Sequence, residues 1–335
     1  MENDEVRYIY SSPALEPGNG ERHGLSLIFR KESFFILALV VLVVLGMIPL
    51  LTSDSLFVAH SSREDAPPEL LKVVFFDVHQ GDAVLISTSS NKHFLIDGGQ
   101  GASKYASFDA GTQVIIPYLK KHKIKKLDQV IMTHPHADHV GGLVSLLEQI
   151  PVTEVIDPAM SYGSSLYKRF LLLIESKGIQ WTEARDGHLF NWDDDVTAQV
   201  MGPKELFEGT RSDANNNSVV IKVMYKATSF LFTGDAESES ELDLLDYRAN
   251  LRANVLKVPH HGGEFSSTEE FVRMVRPMIA VISCGRNNKF GHPHADTLEK
   301  YRRIGAKIVR TDLCGTITML SDGQRISIST EKTCK

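Results

Sequence analysis

The stretch His-Pro-His-Ala-Asp-His at residues 134–139 carries three imidazoles and one carboxylate within six residues. It follows an apolar and β-branched run at 129–133 and precedes the small pair Gly141-Gly142. This order is typical of a β-strand that ends in a loop of ligating side chains. Imidazole nitrogens and carboxylate oxygens are ligands that zinc and similar divalent ions accept. The stretch therefore predicts a metal site at a strand end.

The spacing within this stretch predicts two metal ions. Alternating residues of a tight loop can face different ions, so His134 and His136 are expected to bind one ion and Asp138 and His139 a second. A histidine-rich surface loop and a single structural zinc are the alternatives. Structural zinc usually completes its shell with cysteine, and the sequence has no cysteine near this loop. A site for two ions is therefore the favoured interpretation.

Three further apolar segments end in residues that can complete such a site. These segments, at 93–96, 229–233 and 254–258, lead to Asp97, Asp235 and the pair His260-His261. One strand that ends in Asp-Gly is usually an ordinary turn, but four strand ends of this kind favour a shared site. Asp235 could bridge two cations with its two oxygens, and one or both of His260 and His261 could ligate. Asp97 is expected to orient a ligand histidine by accepting its other N–H.

The order of these motifs resembles the metallo-β-lactamase superfamily, and most closely the metallo-β-lactamase domain of ComEC-type competence proteins. The resemblance extends from residue 71 to about residue 320 and rests on the segments 75–83, 95–99, 133–142, 215–219, 232–237, 258–262, 282–285 and 291–294. It implies an α/β fold, the αββα sandwich of two mixed β-sheets with helices outside. The ligands would then lie at strand ends along one edge.

The sequence departs from the superfamily pattern at one ligand position. Many members carry a further histidine between the first ligand cluster and the bridging aspartate, but the equivalent stretch here, 211–218, has none. Asp213, Asn216 or water is expected to take that place. His188 is the one histidine in the interval, and it is predicted to lie in a turn away from the metals. One ion is therefore expected to be lost more readily than the other.

The resemblance implies a hydrolase that uses two divalent metal ions, with Zn²⁺ expected and Mn²⁺ as the alternative. A hydroxide shared by the two ions would be the nucleophile, and Asp138 and Asp235 would act in catalysis as ligands. His292 and His294 resemble family positions that could reach a substrate oxyanion or a leaving group. The alternative for these two histidines is that they cap the helix that follows them.

An apolar stretch near the start predicts a membrane anchor. Residues 34–51 are 18 consecutive residues without a charge, which is long enough to cross a thin bilayer as a helix. Basic residues precede the stretch and mainly acidic ones follow it, so the positive-inside rule places the N-terminus in the cytoplasm. A cleaved signal peptide is the alternative. The predicted organisation is a disordered cytoplasmic tail at 1–33, a single-pass signal anchor at 34–51, a linker at 52–70 and an extracytoplasmic hydrolase domain at 71–331.

The charge distribution weighs against tight, general binding of nucleic acid. Residues 1–33 carry six acidic and four basic side chains and residues 52–70 four acidic and one basic, so most of the net charge of −6 lies before residue 71. Nucleic-acid binding depends chiefly on neutralising phosphates, and the domain is nearly neutral. The basic cluster at 120–126 favours a solvated helix end over a phosphate track.

Of the three cysteines, Cys284 and Cys314 could form a disulfide outside the cytoplasm, but spacing does not fix the pairing.

Three functions remain open. The leading one is a ComEC-like, metal-dependent phosphodiesterase that acts on DNA or another nucleic acid outside the cytoplasm. One predicted span cannot form an uptake pore, so a DNA-uptake channel protein would be a partner. The second is a hydrolase of a small ester, lactone, β-lactam or phosphoester on the same fold. The third is a non-catalytic metal-binding module, which would be expected to have lost ligands, whereas at least six remain.

Overall fold

A computed structural model describes residues 8–11, 69–103 and 107–334, and only the backbone is described for 8–11. The predicted anchor at 34–51 lies outside these residues, as do most of the predicted tail and linker. Among the helices of the described ranges, none combines the length and hydropathy of a membrane span.

Sixteen strands form two β-sheets in the described part of the chain. In chain order the strands are β1 (Tyr8–Ser11), β2 (Leu71–Phe75), β3 (Val84–Ser87), β4 (His93–Ile96), β5 (Leu127–Ile131), β6 (Val152–Asp157), β7 (Gln180–Glu183), β8 (Leu189–Asp193), β9 (Val196–Gly202), β10 (Val220–Tyr225), β11 (Thr228–Phe232), β12 (Val255–Lys257), β13 (Ile279–Ile282), β14 (Lys307–Arg310), β15 (Ile317–Ser321) and β16 (Arg325–Thr330). The first sheet has the order β1-β16-β15-β2-β3-β4-β5-β6-β7, and the second has the order β14-β13-β12-β11-β10-β9-β8. Both are mixed, because β2-β3-β4 and β9-β10-β11 pair antiparallel while β4-β5-β6 and β11-β12-β13 pair parallel.

The helices connect the strands and cover the outer faces of the sheets. The α-helices are α1 (Ile116–Lys121), α2 (Ala137–Gln149), α3 (Ser165–Lys177), α4 (Asp213–Asn216), α5 (Ser238–Leu244), α6 (Glu269–Val275), α7 (Ala295–Arg303) and α8 (Thr311–Cys314). A π-helical segment at Gly111–Ile115 leads into α1, and 3-10 segments cover Leu245–Leu251 and Pro259–Gly262.

Strand β2 illustrates why the chain forms a four-layered sandwich. Its side chains alternate between two apolar environments: Val73 and Phe75 lie in the core between the two sheets, whereas Val74 packs with residues of the outer helices. The Phe75 and Phe232 rings meet across the sheets with centroids 6.0 Å apart. Strands that are apolar on both faces are buried on both faces. The αββα sandwich with two mixed sheets, expected from the resemblance, is confirmed.

Strand β1 lies within the segment 1–33, for which the sequence predicted disorder. Tyr8–Ser11 pairs antiparallel with β16 at the edge of the first sheet, with Ile9 opposite Ser327. Aromatic and β-branched residues favour strands, and the sequence Tyr-Ile-Tyr-Ser of β1 has both. The flanking residues 1–7 and 12–33 lie outside the described part of the chain.

The cysteine pairing differs from the pair that the sequence analysis considered. Cys314, at the end of α8, forms a disulfide with Cys334, whereas Cys284 is a buried free thiol. Because two intervening strands form a hairpin, Cys314 and Cys334 approach each other with Cα atoms 4.4 Å apart. The Cys284–Cys314 pair is therefore not formed.

Candidate metal centre

The predicted ligand-bearing strand ends meet at one edge of the sandwich. Strands β4 and β5 run parallel in the first sheet, and β11 and β12 run parallel in the second. Carboxyl ends of parallel strands lie at the same edge of a sheet, and loops there commonly form binding sites. The residues that follow these four strands therefore approach one another across the interface between the sheets.

Helix α2 begins inside the histidine-rich stretch and holds it in place. His136 is the N-cap residue and Asp138 lies in the first helical turn. The helix packs backbone to backbone against the loop after β4: the Gly98 amide donates to the His139 carbonyl at 2.8 Å, and the Gly142 amide to the Gly99 carbonyl at 2.9 Å. Glycines on both sides permit this approach, which brings Asp97 and His139 together.

Asp235 is the centre around which the histidines gather. Its Oδ2 atom lies 3.3 Å from His139 Nε2 and 3.4 Å from His261 Nε2. The Nε2 atoms of His134 and His260 are both 3.9 Å away from the same oxygen. The structure thus brings four imidazoles to one carboxylate oxygen.

Asp97 lies behind this cluster, in contact with His139. Its Oδ2 is 2.8 Å from His139 Nδ1 and accepts a hydrogen bond from the Thr133 hydroxyl at 2.7 Å, while its Oδ1 accepts one from the Thr133 amide. Since Nδ1 of His139 is engaged by Asp97, its Nε2 is left to face Asp235. A carboxylate in this position fixes the ring and its tautomer, which is the role that the sequence analysis expected of Asp97.

His260 and His261 occupy different environments although they are neighbours. His261 is 1% exposed; its Nδ1 is 2.8 Å from the Ser283 carbonyl, and its Nε2 lies 3.4 Å from Asp138 Oδ2. His260 faces an open cleft, and its Nδ1 is 3.3 Å from Glu237 Oε1. Both residues have positive φ angles, 48° and 54°, in a region that non-glycine residues seldom adopt. Strained backbone of this kind is concentrated at functional sites.

The donor set fits divalent metal ions. Among the described residues, four groups have ligand atoms within 4.8 Å of one another: His134/His139/Asp235, Asp138/His139/His261, Asp82/Asp97/His139 and Asp82/Asp235/His261. Several of these atoms are buried without a hydrogen-bond partner in the described part of the chain, namely His139 Nε2, His261 Nε2, Asp235 Oδ1 and Asp82 Oδ1. Buried polar atoms are normally paired or coordinate metals. The cluster is therefore able to bind metal ions.

The electrostatics of the cluster also favour a cation. Burial raises the pKa of Asp235, but the imidazoles of His261, His139 and His260 outweigh burial and hold that pKa well below its usual range. Burial lowers the pKa of His139, but Asp235 and Asp97 outweigh it and raise that pKa well above its usual value. The His139 imidazole therefore attracts a proton in the same place where it would bind a metal ion. Metal binding should therefore release protons.

Two buried residues of this site, Asp82 and Lys257, were missed by the sequence analysis. Asp82 follows β2 in the Gln-Gly-Asp segment, and Lys257 ends β12; they form an ion pair within the cluster. Burial lowers the pKa of Lys257, but Asp82 and Asp235 outweigh it and raise that pKa. Asp82 lies in the segment 75–83 that carried the family resemblance, and this could have indicated its place in the site. Lys257 had no such signal, because a lone lysine is usually a surface residue.

Two predicted residues, Asp213 and Asn216, have their bonding groups engaged elsewhere. Asp213 accepts hydrogen bonds from the amide and hydroxyl of Thr210, both at 2.7 Å. The side-chain oxygen Oδ1 of Asn216 accepts from the backbone amides of Glu237 and Ser240 at 3.2 and 3.1 Å. Neither is thus placed to replace the missing histidine.

Ser218 contacts His134 on one side: its hydroxyl lies 3.3 Å from His134 Nδ1 and accepts from the Asp235 amide at 3.0 Å. His136 Nδ1 lies 3.0 Å from His134 Nε2 on the other side. His188 lies in the turn before β8, where its amide donates to the Arg185 carbonyl. The structure therefore gathers His134 and His136 with the cluster and leaves His188 in its turn.

A cleft of about 620 Å³ opens beside the cluster. Its walls include Arg211, Phe265, Phe290, His292 and His294. Phe265 and Phe290 are 37% and 51% exposed, and the Arg211 guanidinium stacks on the Phe265 ring. Burial, together with His261 and His260, lowers the pKa of His292 to about 4, so this imidazole is neutral at pH 7. The cleft combines flat apolar surfaces with one arginine and with the carboxylates of Glu237 and Glu264, beside the candidate metal ligands.

His294 occupies the N-cap position of α7, but its side chain makes no capping hydrogen bond. Its amide donates to the Gly262 carbonyl at 2.9 Å, which ties the start of α7 to the loop that carries His260 and His261. The His292 and His294 rings lie 5.7 Å apart. Both imidazoles are thus presented to the cleft.

The fold and the His/Asp cluster at its edge define a metallo-hydrolase fold of the metallo-β-lactamase type. A family model described as "Metallo-beta-lactamase superfamily" matches residues 76–286, and the chain belongs to that superfamily. The solved structure of the metallo-β-lactamase fold protein YhfI from Bacillus subtilis matches with a TM-score of 0.51 and 10% identity, over 76% of this chain and 100% of that chain. At that identity the match shows the fold alone.

Within the superfamily the chain is related to competence proteins. It is 32% identical over 256 residues to "ComE operon protein 3" of Bacillus subtilis (strain 168), which covers 73% of this chain and 32% of that protein. It is 32% identical over 257 residues to "Recombination protein 2" of Haemophilus influenzae, which covers 77% of this chain and 30% of that protein. The resemblance to ComEC-type proteins is confirmed. The chain spans about a third of the length of these curated relatives.

Proposed function

We propose that this chain is a metal-dependent phosphodiesterase that cleaves DNA or another nucleic acid outside the cytoplasm. The observation that carries the proposal is the juxtaposition of the His/Asp cluster with a cleft that offers Arg211 and two exposed phenylalanines. Aromatic faces stack bases, and arginine pairs with phosphates. The relationship to competence proteins supports the same class of substrate.

The ligand roles in this proposal combine the family resemblance with the distances within the cluster, where His134 groups with Asp235 and Asp138 with His139 and His261, while His136 lies 3.0 Å from His134. His134, His136 and Asp235 would hold one ion, and Asp138, His139 and His261 would hold a second. Zn²⁺ or Mn²⁺ bound there would supply Lewis-acid stabilisation and activate water. Asp97 fixes the His139 ring, and Ser283 fixes the His261 ring through its carbonyl. His260 faces the cleft. It would therefore contact the substrate, whereas His261 would be one of the buried metal ligands.

The cleft residues have separate roles in substrate binding. Arg211 stacks on Phe265 and can bind a phosphate with the edge of its guanidinium that the ring leaves free. Phe290 stacks against His292, with centroids 5.6 Å apart, and offers its outer face to a base. Since His292 is neutral at pH 7, its N–H can donate to an oxygen of the scissile group.

A substrate panel tests the proposed activity. The purified full-length chain, loaded separately with Zn²⁺ and Mn²⁺, is assayed on single-stranded DNA, double-stranded DNA, a phosphodiester reporter, a lactone and a β-lactam. We expect metal-dependent cleavage of nucleic acid, abolished by a chelator. Phe290→Ala should raise KM for that substrate about tenfold, since stacking of one base is worth about 1–3 kcal/mol.

The control for Phe290→Ala is Leu189→Ala on β8, which removes another exposed apolar side chain, 59% exposed, outside the cleft. It should leave KM unchanged. Hydrolysis of the lactone or β-lactam alone would contradict the nucleic-acid proposal and support a small-molecule hydrolase. Metal binding without any hydrolysis would support a non-catalytic module.

We also propose that residues 34–51 anchor the chain in the cell membrane, with residues 1–33 in the cytoplasm and the domain 71–331 outside. The disulfide Cys314–Cys334 supports this location, because disulfides persist in oxidising compartments. Pairing of β1 with β16 requires both strands on one side of the membrane. The pairing seen in the structure therefore counts against the anchored arrangement, and the topology experiment decides between the two. A separate DNA-uptake channel protein is the partner we propose.

Topology can be measured with a reporter that is active only outside the cytoplasm, fused after Lys335. We expect activity, and we expect the chain to stay in the membrane fraction after a high-salt wash; release into the soluble fraction outside would indicate a cleaved signal peptide. Formation of an intramolecular disulfide in an Ile9→Cys, Ser327→Cys variant, at positions paired in β1 and β16, would contradict the anchored arrangement.

A further inference from the structure

Lys257 is a buried cation among the candidate metal ligands. Its side chain is 2% exposed, and its ammonium forms an ion pair with Asp82 and donates to the Gly234 carbonyl at 3.0 Å. The same Nζ atom lies 3.8 Å from Asp235 Oδ1. A buried ammonium is costly unless it is paired. Here the pairing carboxylates belong to the metal site itself.

The two oxygens of Asp235 face different positive groups. Oδ2 faces His134, His139, His260 and His261 at 3.3 to 3.9 Å, whereas Oδ1 faces Lys257. The sequence analysis expected Asp235 to bridge two ions with both oxygens. In the structure, one of those oxygens is directed toward the ammonium.

Asp82 provides a second, independent indication. Asp82, Asp235 and His261 form one of the groups able to hold a metal ion, and Lys257 lies against both carboxylates of that group. The Nδ1 atom of His261 is already engaged by the Ser283 carbonyl. Like charges repel strongly in a buried site, so a fixed ammonium here disfavours a further cation nearby.

We propose that Lys257 is a built-in cation of this centre, whose ammonium lies between Asp82 and Asp235 and repels the ion that Asp235 would hold. As a consequence, the chain binds one divalent ion tightly and a second at least about tenfold more weakly. The inference rests on the proposed metal-dependent function and deepens it. The charge of Lys257 would then weaken binding of the second ion in addition to the effect of the missing histidine.

Metal binding by the full-length chain tests this inference without any substrate. Mn²⁺ is titrated by calorimetry, and ions per chain are counted after dialysis, for the wild type, Lys257→Met and Lys257→Gln. We expect about one ion per chain for the wild type. Both variants should retain about two, with the affinity for the second ion increased at least about tenfold, because the competing charge is gone. Lys257→Gln keeps a hydrogen-bond donor near Gly234 and decides the question if Lys257→Met fails to fold.

Lys222→Met is the matched control. Lys222 is also a buried lysine on a strand of the second sheet, 8% exposed, but its ammonium donates to the Asn250 carbonyl at 2.6 Å. This variant should bind metal as the wild type does. Two ions bound equally tightly by the wild type, or unchanged binding in both Lys257 variants, would overturn the inference and leave the proposed hydrolase intact. A wild type that binds no ion in excess metal would overturn both.

Discussion

Replacing Asp235 with asparagine is expected to lower turnover on the nucleic-acid substrate at least about a hundredfold, within the range known for disturbed metal sites. The variant keeps the shape of the side chain but removes the charge that faces four imidazoles. Without that charge, bound metal is also expected to fall well below the wild-type content. Turnover and ions per chain are measured on the same preparation. The Tm of chelator-treated protein shows whether the fold is retained.

His188→Ala is the control for this prediction. His188 lies in the turn before β8, with its amide bonded to the Arg185 carbonyl, so its removal should leave metal content and rate within about twofold. An active Asp235→Asn variant together with an inactive His188→Ala variant would overturn the assignment of Asp235 as a ligand. The missing third histidine would then have to be sought at position 188.

Most of the candidate site was predictable because its ligands carry local signals. The stretch 134–139, Asp235 and the pair His260-His261 each follow a short apolar strand, and the fold brings those strand ends to one edge. The role of Asp97 could be expected for the same reason. Strand ends are recognised within a few residues of sequence, so their chemistry can be predicted before their neighbours are known.

Features that depend on distant parts of the chain could not be predicted in this way. Buried Lys257 is paired by Asp82 and Asp235, which lie in the loops after β2 and β11, whereas an isolated lysine in the sequence indicates a surface position. The different burial of His260 and His261 depends on the elements packed around them, since His261 is buried against Ser283 while His260 faces the cleft. The partner of Cys314 depends on the hairpin of β15 and β16, and sequence spacing does not determine connectivity.

The edge strands β7 and β8 lack the apolar pattern of the strands that lead into the candidate site. Three of the four residues of β7 are exposed, and β8 buries only Trp192. These two strands are held by backbone pairing with their neighbours, β7 with β6 and β8 with β9, rather than by burial of their own side chains. Exposed edge strands carry the weakest sequence signal because one face and one edge contact solvent.

Replacing Gly142 with alanine is expected to lower both the stability of the domain and its metal content. A Cβ atom at Gly142 would lie 2.1 Å from the Gly98 carbonyl oxygen and 2.7 Å from the Gly111 amide nitrogen. Both neighbours are backbone atoms, so helix α2 would have to move away from the loop after β4. Overpacking of this kind costs about 1–3 kcal/mol or more, although alanine regains up to about 1 kcal/mol in a helix. With a net cost of about 1–2 kcal/mol, a decrease in Tm of roughly 2–8 °C follows for a domain of this size.

The metal content of Gly142→Ala links this packing to function. His139 lies one turn before Gly142 in α2, and its carbonyl accepts from the Gly98 amide, so a displaced helix separates His139 from Asp97 and Asp235. We expect less than half of the wild-type metal after dialysis. Gly163→Ala is the control, because a Cβ there meets nothing within 4 Å, and it should change neither Tm nor metal content. Wild-type values for Gly142→Ala would mean that the close contact of α2 with the Gly98 loop does not position the ligands.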